Sequence, residues 1–124
     1  MSPRLQLQLE IENDIVHAGD TVRGTILVVE GGRSRTLTAS LEFHERTEDA
    51  GRVARSAASE RLHDGDLLAG MSFSFALRLP DDALPNFRSE HGSLTWELHA
   101  HSDELGPDTH EHAEVPVSPR RQAP

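Results

Sequence analysis

Residues Leu68 to Phe87 read LAGMSFSFALRLPDDALPNF and decide the fold class of this chain. Large apolar side chains alternate here with small or polar ones, and the apolar set is Met71, Phe73, Phe75, Leu77 and Leu79. A period of two residues is typical of a strand that buries one face. Gly70 precedes the strand, and Pro80 ends it because proline cannot donate a hydrogen bond to a sheet. Since most of the chain's Phe residues lie here, we interpret the stretch as the central strand of an all-β core.

The same alternation recurs before and after this stretch. It predicts strands over residues 5–12, 21–29, 35–44, 93–102 and 109–117. Gly24 lies on the apolar face of its strand, which predicts either a β-bulge or a close approach of another backbone. Residues 52–63 are weakly patterned and predict a poorly buried edge strand or a mobile loop. About seven strands separated by turns predict an antiparallel, immunoglobulin-like β-sandwich.

For two of these strands, the sequence also predicts whether the outer face is covered by protein or exposed to solvent. Leu27 and Val29 make the outer face of the strand at 21–29 partly apolar, so we expect it to be covered on both sides at its end. Glu42 and His44 lie on the polar face of the strand at 35–44, which we expect to meet solvent.

Composition limits the classes of function. The 124 residues fit one domain, which we assign to residues 1–117, followed by a flexible tail at 118–124. The sequence has no cysteine, no signal-peptide pattern and no apolar run long enough to cross a membrane, so a cytoplasmic location is expected. A net charge of −9 without a basic stripe argues against nucleic acid and anionic membranes as partners. Its Arg-only basic residues and Ala/Gly-rich composition indicate a bacterial source.

Four motifs in the predicted strands are similar to those of a known superfamily. They are AGDTVRGTI at 18–26, LAGMSFSF at 68–75, the pair LP at 79–80 and LPNF at 84–87, and GSLTWELHA at 92–100. In this order and spacing, the sequence from Leu5 to Val117 resembles the N-terminal domain of the arrestin superfamily. That superfamily includes bacterial sporulation-control proteins and the arrestin-like subunit of retromer.

This resemblance implies an immunoglobulin-like sandwich that acts as a non-catalytic adaptor or scaffold for protein partners, possible roles being sporulation or stress control. Three departures limit what it implies. Gln6, Gln8 and Glu10 stand where phosphate-sensing arrestins carry basic residues. A second sandwich and a PPxY-type motif are also missing from the sequence. Recognition of receptors or phosphorylated ligands is therefore not carried over.

Histidines cluster in the last predicted hairpin. If residues 103–108 form its loop, His99 lies opposite His112 and His101 lies opposite His110, on the outer face. Directly opposed Cβ atoms are about 4.5–5.5 Å apart, so these four imidazoles could bind Zn²⁺ or another divalent transition metal, or respond to pH. No ligand-spacing motif accompanies them, and a solvated face that happens to be rich in histidine is the simpler interpretation. Metal binding is therefore the alternative to the adaptor, for which we expect no cofactor.

Catalytic motifs are missing from the sequence, which contains no G-x-S-x-G, P-loop or H-E-x-x-H pattern. The pairs Asp64/Asp66 and Asp81/Asp82 are typical of turns, and Ser72 and Ser74 belong to the exposed face of their strand. We therefore predict that the protein is not an enzyme. Its edge strands, expected at residues 5–12 and 52–63, could accept a strand from a protein partner or from a second copy of the chain.

Overall fold

A computed structural model describes residues 4–119, which form eight β-strands in two antiparallel sheets. The strands are β1 (Gln6–Ile11), β2 (Thr21–Glu30), β3 (Thr36–Thr47), β4 (Gly51–Asp64), β5 (Ser72–Arg78), β6 (Phe87–Ser89), β7 (Gly92–Asp103) and β8 (Thr109–Glu114). Residues 4–119 contain no helix, and therefore no helix that is long and apolar enough to span a membrane. The all-β sandwich predicted from the alternation is confirmed.

The smaller sheet has the order β1-β2-β5, with β2 in the middle. Val22, Ile26 and Val28 of β2 are fully buried on its inner face, as their alternation predicts. Gly24 shares this face, and a Cβ atom there would lie 2.1 Å from the carbonyl oxygen of Glu10 and 2.5 Å from the ring of Phe75. The predicted close approach at Gly24 is therefore confirmed.

The larger sheet has the order β4-β3-β7, and both β6 and β8 pair with the far side of β7. Strands β3 and β7 are therefore hydrogen-bonded on both sides, whereas β4 and β8 are edge strands. The prediction of a poorly buried edge strand at 52–63 is correct, and its alternative of a mobile loop is wrong.

The core lies between the inner faces of the two sheets. Trp96 of β7 is the largest fully buried side chain, and its ring centroid lies 5.0 Å from that of Phe43 on β3. Phe75 of β5 is buried, but Phe73 is only partly buried and Phe87 is 60% exposed. The core therefore forms around the larger sheet's aromatic pair more than around the Phe residues of the 68–87 stretch.

The prediction that the 68–87 stretch forms the central strand is wrong. β5 pairs with β2 alone and forms an edge of the smaller sheet. Alternation reports that one face of a strand is buried, and it carries no information on how many neighbours the strand has. The outer face of β2 also differs from expectation, because Leu27 and Val29 are exposed.

The end of the described chain is held against the sandwich. Val16 and Val117 form an isolated parallel bridge, and the amide of Ser118 donates to the carbonyl oxygen of Val16 over 2.8 Å. Of the tail predicted at 118–124, the structure describes residues 118 and 119. Residues 120–124 lie outside the described part of the chain.

Candidate functional site

The β7–β8 hairpin brings four histidines together on the outer face of the larger sheet. His99 pairs with His112 and His101 pairs with His110, which is the register predicted from a loop at 103–108. Within each pair the ring centroids are 4.5 Å apart and the ring planes differ by 5°. The juxtaposition of these four side chains is confirmed, and whether they hold a metal stays a prediction.

Strand β3 adds two residues that were expected to meet solvent. Glu42 pairs with Glu97 of β7, one row away from His99, and His44 follows two residues later on the same face. His44 is 7% exposed, so the expectation of a solvated face is wrong here. His44 is covered because side chains on neighbouring strands of a sheet pack against one another. The ring of His112 on β8 meets the ring of His44 edge to face, with 5.4 Å between the ring centroids.

A hydrogen-bond network joins these side chains across three strands. The Glu42 carboxylate accepts from His44 Nε2 over 2.9 Å through one oxygen and from His99 Nδ1 over 3.1 Å through the other. The second nitrogen of His99, Nε2, shares a 2.8 Å hydrogen bond with Nδ1 of His110. Both nitrogens of His99 are therefore engaged within the protein.

Glu97 is the second carboxylate of this face and is buried. It forms an ion pair with Arg46 of β3 and accepts a 3.2 Å hydrogen bond from the hydroxyl of Thr95, while Nδ1 of His44 lies 3.8 Å from its Oε2. Burial alone would raise the pKa of Glu97, but the hydrogen bond from Arg46 and the charges of His44 and Arg46 outweigh it and lower that pKa. Glu97 is therefore held as a carboxylate.

Burial acts in the opposite sense on a histidine. The pKa of His99 is lowered chiefly by burial, and the neighbouring His112 and His110 lower it further, whereas the charge of Glu42 opposes the shift. His99 is thus held neutral at a pH where an exposed imidazole would already be partly protonated.

Asp108 lies at the loop end of the hairpin, directly before β8. Its Oδ1 accepts from the amide of Glu104 over 2.9 Å, and its Oδ2 accepts from His101 Nε2 over 2.8 Å. The backbone hydrogen bond, followed by that from His101, lowers the pKa of Asp108. This carboxylate therefore joins the loop to the histidine face.

The potential ligand atoms fall into two groups of three, each with one atom per residue and all atoms within 4.8 Å of one another. One group is Glu42, His44 and His112, and the other is His101, Asp108 and His110. Within residues 4–119, His99 joins neither group. The four predicted histidines are therefore divided between the two groups, with His112 in one and His101 and His110 in the other. Glu42, His44 and Asp108 were not predicted as ligands.

Part of what was missed had a signal in the sequence. Asp108 immediately precedes Thr109, the first residue of β8, so an acidic group beside the hairpin histidines was readable. Glu42 and His44 had no such signal, because they come next to the hairpin only through the pairing of β3 with β7, which joins residues more than fifty positions apart.

Of the remaining candidates, Asp81 and Asp82 lie in a turn as predicted, whereas Asp64 is the last residue of β4. Asp66 accepts a 3.2 Å hydrogen bond from the amide of Ser34, and Asp81 and Asp82 form ion pairs with Arg78 and Arg55. Ser72 and Ser74 lie on the exposed face of β5, as expected.

The edge strands differ in length and exposure. β4 has 14 residues and none of their side chains is buried, whereas β1 has six residues, of which Leu7 is buried. In the described part of the chain, β4 pairs only with β3 and β1 pairs only with β2. β4 is thus the longest row of backbone groups open on one side.

No protein-family model matches this sequence, and no curated protein sequence matches it either. Solved structures do match. The crystal structure of Spo0M, a sporulation control protein from Bacillus subtilis, has a TM-score of 0.69 and 19% identity to this chain, covering 91% of this chain and 49% of its own. A match to a β-glucosidase from Listeria innocua in complex with isofagomine covers 91% of this chain and 16% of the β-glucosidase, with 14% identity. Its TM-score of 0.36 is too low to indicate a shared fold.

The similarity to Spo0M concerns the fold. For the fold alone, it confirms the resemblance to sporulation-control proteins that motifs such as AGDTVRGTI at 18–26 predicted, and the match covers 91% of this chain. This chain spans about half the length of the Spo0M chain it matches.

Proposed function

We propose that this protein is a non-catalytic, arrestin-like adaptor whose β4 edge accepts a strand from a protein partner. The observation that carries the proposal is the length of β4, since 14 residues offer backbone donors and acceptors along one open side. Partners commonly bind such edges by adding a strand, with backbone hydrogen bonds supplying the affinity. The fold shared with a sporulation control protein supports a regulatory role of this kind.

Two features of β4 make indiscriminate pairing unfavourable. Its pairing with β3 is irregular at three places, and its arginines are Arg52, Arg55 and Arg61. Bulges and charged side chains on an edge discourage association between arbitrary strands. A partner must therefore fit this edge in shape and charge, which is the selectivity that an adaptor needs. The cysteine-free composition suits a reducing compartment, and we assign the role to a bacterial cytoplasm.

The test begins with affinity purification from the native host and continues with the purified partner. Amide hydrogen exchange should slow across residues 51–64 when the partner binds, and exchange in β1 should not change, because strand addition protects the amides that it pairs. Binding that leaves the exchange of residues 51–64 unchanged would contradict the proposal, as would the failure to recover any partner.

A matched pair of variants locates the surface. Val53 on β4 is 47% exposed and Val29 on β2 is 42% exposed, so V53K and V29K alter similar side chains on different strands. We expect V53K to weaken partner binding and V29K to leave it unchanged. Light scattering during size-exclusion chromatography measures the molar mass of the complex. This mass shows whether the edge binds a second copy of this chain or another protein.

A further inference from the structure

We propose that Glu42, His44 and His112 bind a divalent transition-metal ion such as Zn²⁺ on the outer face of the larger sheet. Each residue offers one ligand atom, and the three atoms lie within 4.8 Å of one another. Two imidazole nitrogens and a carboxylate oxygen form a ligand set that Zn²⁺ uses with three protein ligands and one open position.

The distances between these atoms are close to those that a metal requires. Glu42 Oε1 lies 2.9 Å from His44 Nε2 and 3.8 Å from His112 Nε2. Ligand atoms at about 2.0–2.1 Å from a tetrahedral ion are separated by roughly 3.4 Å. Adjustments of about 0.4–0.5 Å would bring these two separations to that value. The third separation, between His44 and His112, is within 4.8 Å.

The exposure of the ligands suits a site with one open position. The side chains of Glu42 and His44 are 13% and 10% exposed, while that of His112, on the edge strand β8, is 36% exposed. Two ligands are thus held by the sheet, and the third borders solvent. An ion could enter from the β8 side and keep a water molecule as its fourth ligand.

One ligand has a hydrogen-bonded outer contact of the kind that orients metal ligands in proteins, and a second ligand faces a carboxylate at a longer distance than a hydrogen bond. The second oxygen of Glu42 accepts from His99 Nδ1 over 3.1 Å. The second nitrogen of His44 lies 3.8 Å from Glu97, which is itself held by Arg46. A carboxylate behind a ligating histidine fixes the ring and its tautomer and raises its basicity.

Local charge favours a cation at this position. Glu42 and Glu97 are directly opposed on adjacent strands, an arrangement that is unfavourable for like charges. Arg46 pairs with Glu97, whereas within residues 4–119 the carboxylate of Glu42 has no arginine partner and accepts hydrogen bonds from His44 and His99. A divalent ion would supply the missing positive charge.

The second group is a weaker site. Asp108 accepts hydrogen bonds through both of its oxygens, as Glu42 does. None of the three residues of this group is buried, however, whereas His44 of the first group is buried. The competing outcomes of the test are therefore binding at His101, Asp108 and His110, and a network that is satisfied by hydrogen bonds alone.

The experiment is calorimetric titration of the chelator-treated protein with Zn²⁺, together with Co²⁺ absorption spectra that report the coordination number. Wild type should bind one ion at the site and gain melting temperature, because a ligand that binds only the folded state stabilises it. H112Q should abolish this binding. Its matched control is H110Q, which alters a neighbouring exposed histidine of the same strand and should retain the affinity.

Two further results complete the test. H99Q should weaken Zn²⁺ binding about 10- to 100-fold, as expected for an outer contact that orients a ligand. Circular dichroism of H112Q confirms that the edge-strand variant is folded. The proposal is overturned if wild type binds no Zn²⁺, if H112Q binds as tightly as wild type, or if H110Q loses binding while H112Q keeps it.

Discussion

Asp108 shows how one side chain can hold a loop through both of its carboxylate oxygens. It bonds the amide of Glu104 within the β7–β8 loop and the ring of His101 on β7. The folded state lowers the pKa of Asp108, so it favours the ionised form more than the unfolded chain does. By linkage, this contribution to stability is present above the ordinary Asp pKa and is lost as the pH falls through the lowered value.

We therefore expect D108N to lower the melting temperature at neutral pH. The difference from wild type should shrink as the pH falls below the ordinary Asp pKa of about 4, and it should vanish once the pH lies below the lowered pKa of Asp108. Thermal unfolding followed by circular dichroism at several pH values measures this. D49N, in the exposed loop between β3 and β4, is the control and should behave like wild type. An equal loss in D108N at all pH values would contradict the linkage.

At the scale of elements, stability is concentrated in the middle of the larger sheet. β3 is hydrogen-bonded to β4 on one side and β7 on the other, and β7 is bonded to β3 on one side and to β6 and β8 on the other. Opening either strand breaks two ladders and exposes core residues such as Leu41 and Trp96. The edge strands β4 and β8 lose a single ladder when they open.

We expect native-state hydrogen exchange to follow this difference. Amides of residues 36–47 and 92–103 should exchange slowest, near the free energy of global unfolding. Amides of residues 51–64 and 109–114 should exchange faster by local opening, because each of those strands has one neighbour. Mass spectrometry on peptides from the unliganded protein measures the ranking. Uniform protection across all four segments would show that the edges open only with the whole domain.

At the scale of the whole molecule, the sandwich closes over side chains from both sheets. Phe75 of β5 is 3% exposed, and its ring lies in the space that the missing side chain of Gly24 leaves open. A Cβ atom at position 24 would meet this ring and the backbone of Glu10. The smaller sheet thus uses one glycine to accommodate its largest buried aromatic ring.

Replacing Phe75 by alanine should destabilise the domain by about 3–5 kcal/mol, because the ring is buried and leaves a cavity. F87A is the matched control, since Phe87 is 60% exposed and should cost about 0.5 kcal/mol or less. Urea denaturation curves of both variants give the comparison. Similar costs for the two would mean that the ring of Phe75 is not part of the core.

The sequence alone determined the β class, the inward residues of most strands and the register of the histidine hairpin. These features are local. A period of two reports the buried face of each strand, and a loop at 103–108 places Ser102 opposite Thr109, so that Leu98 and Ala113 share a face. His99 therefore lies opposite His112 in the structure, as the spacing predicted.

The order of the strands was decided only by the tertiary structure. It places β5 at an edge, and it pairs β3 with β7, which brings Glu42 against His99 across 57 positions of the chain. Alternation gives a strand's inner face but not its neighbours, because any two strands with matching faces could pair. The choice depends on packing the whole core, so Glu42 and His44 join the histidines only once the sheet has formed.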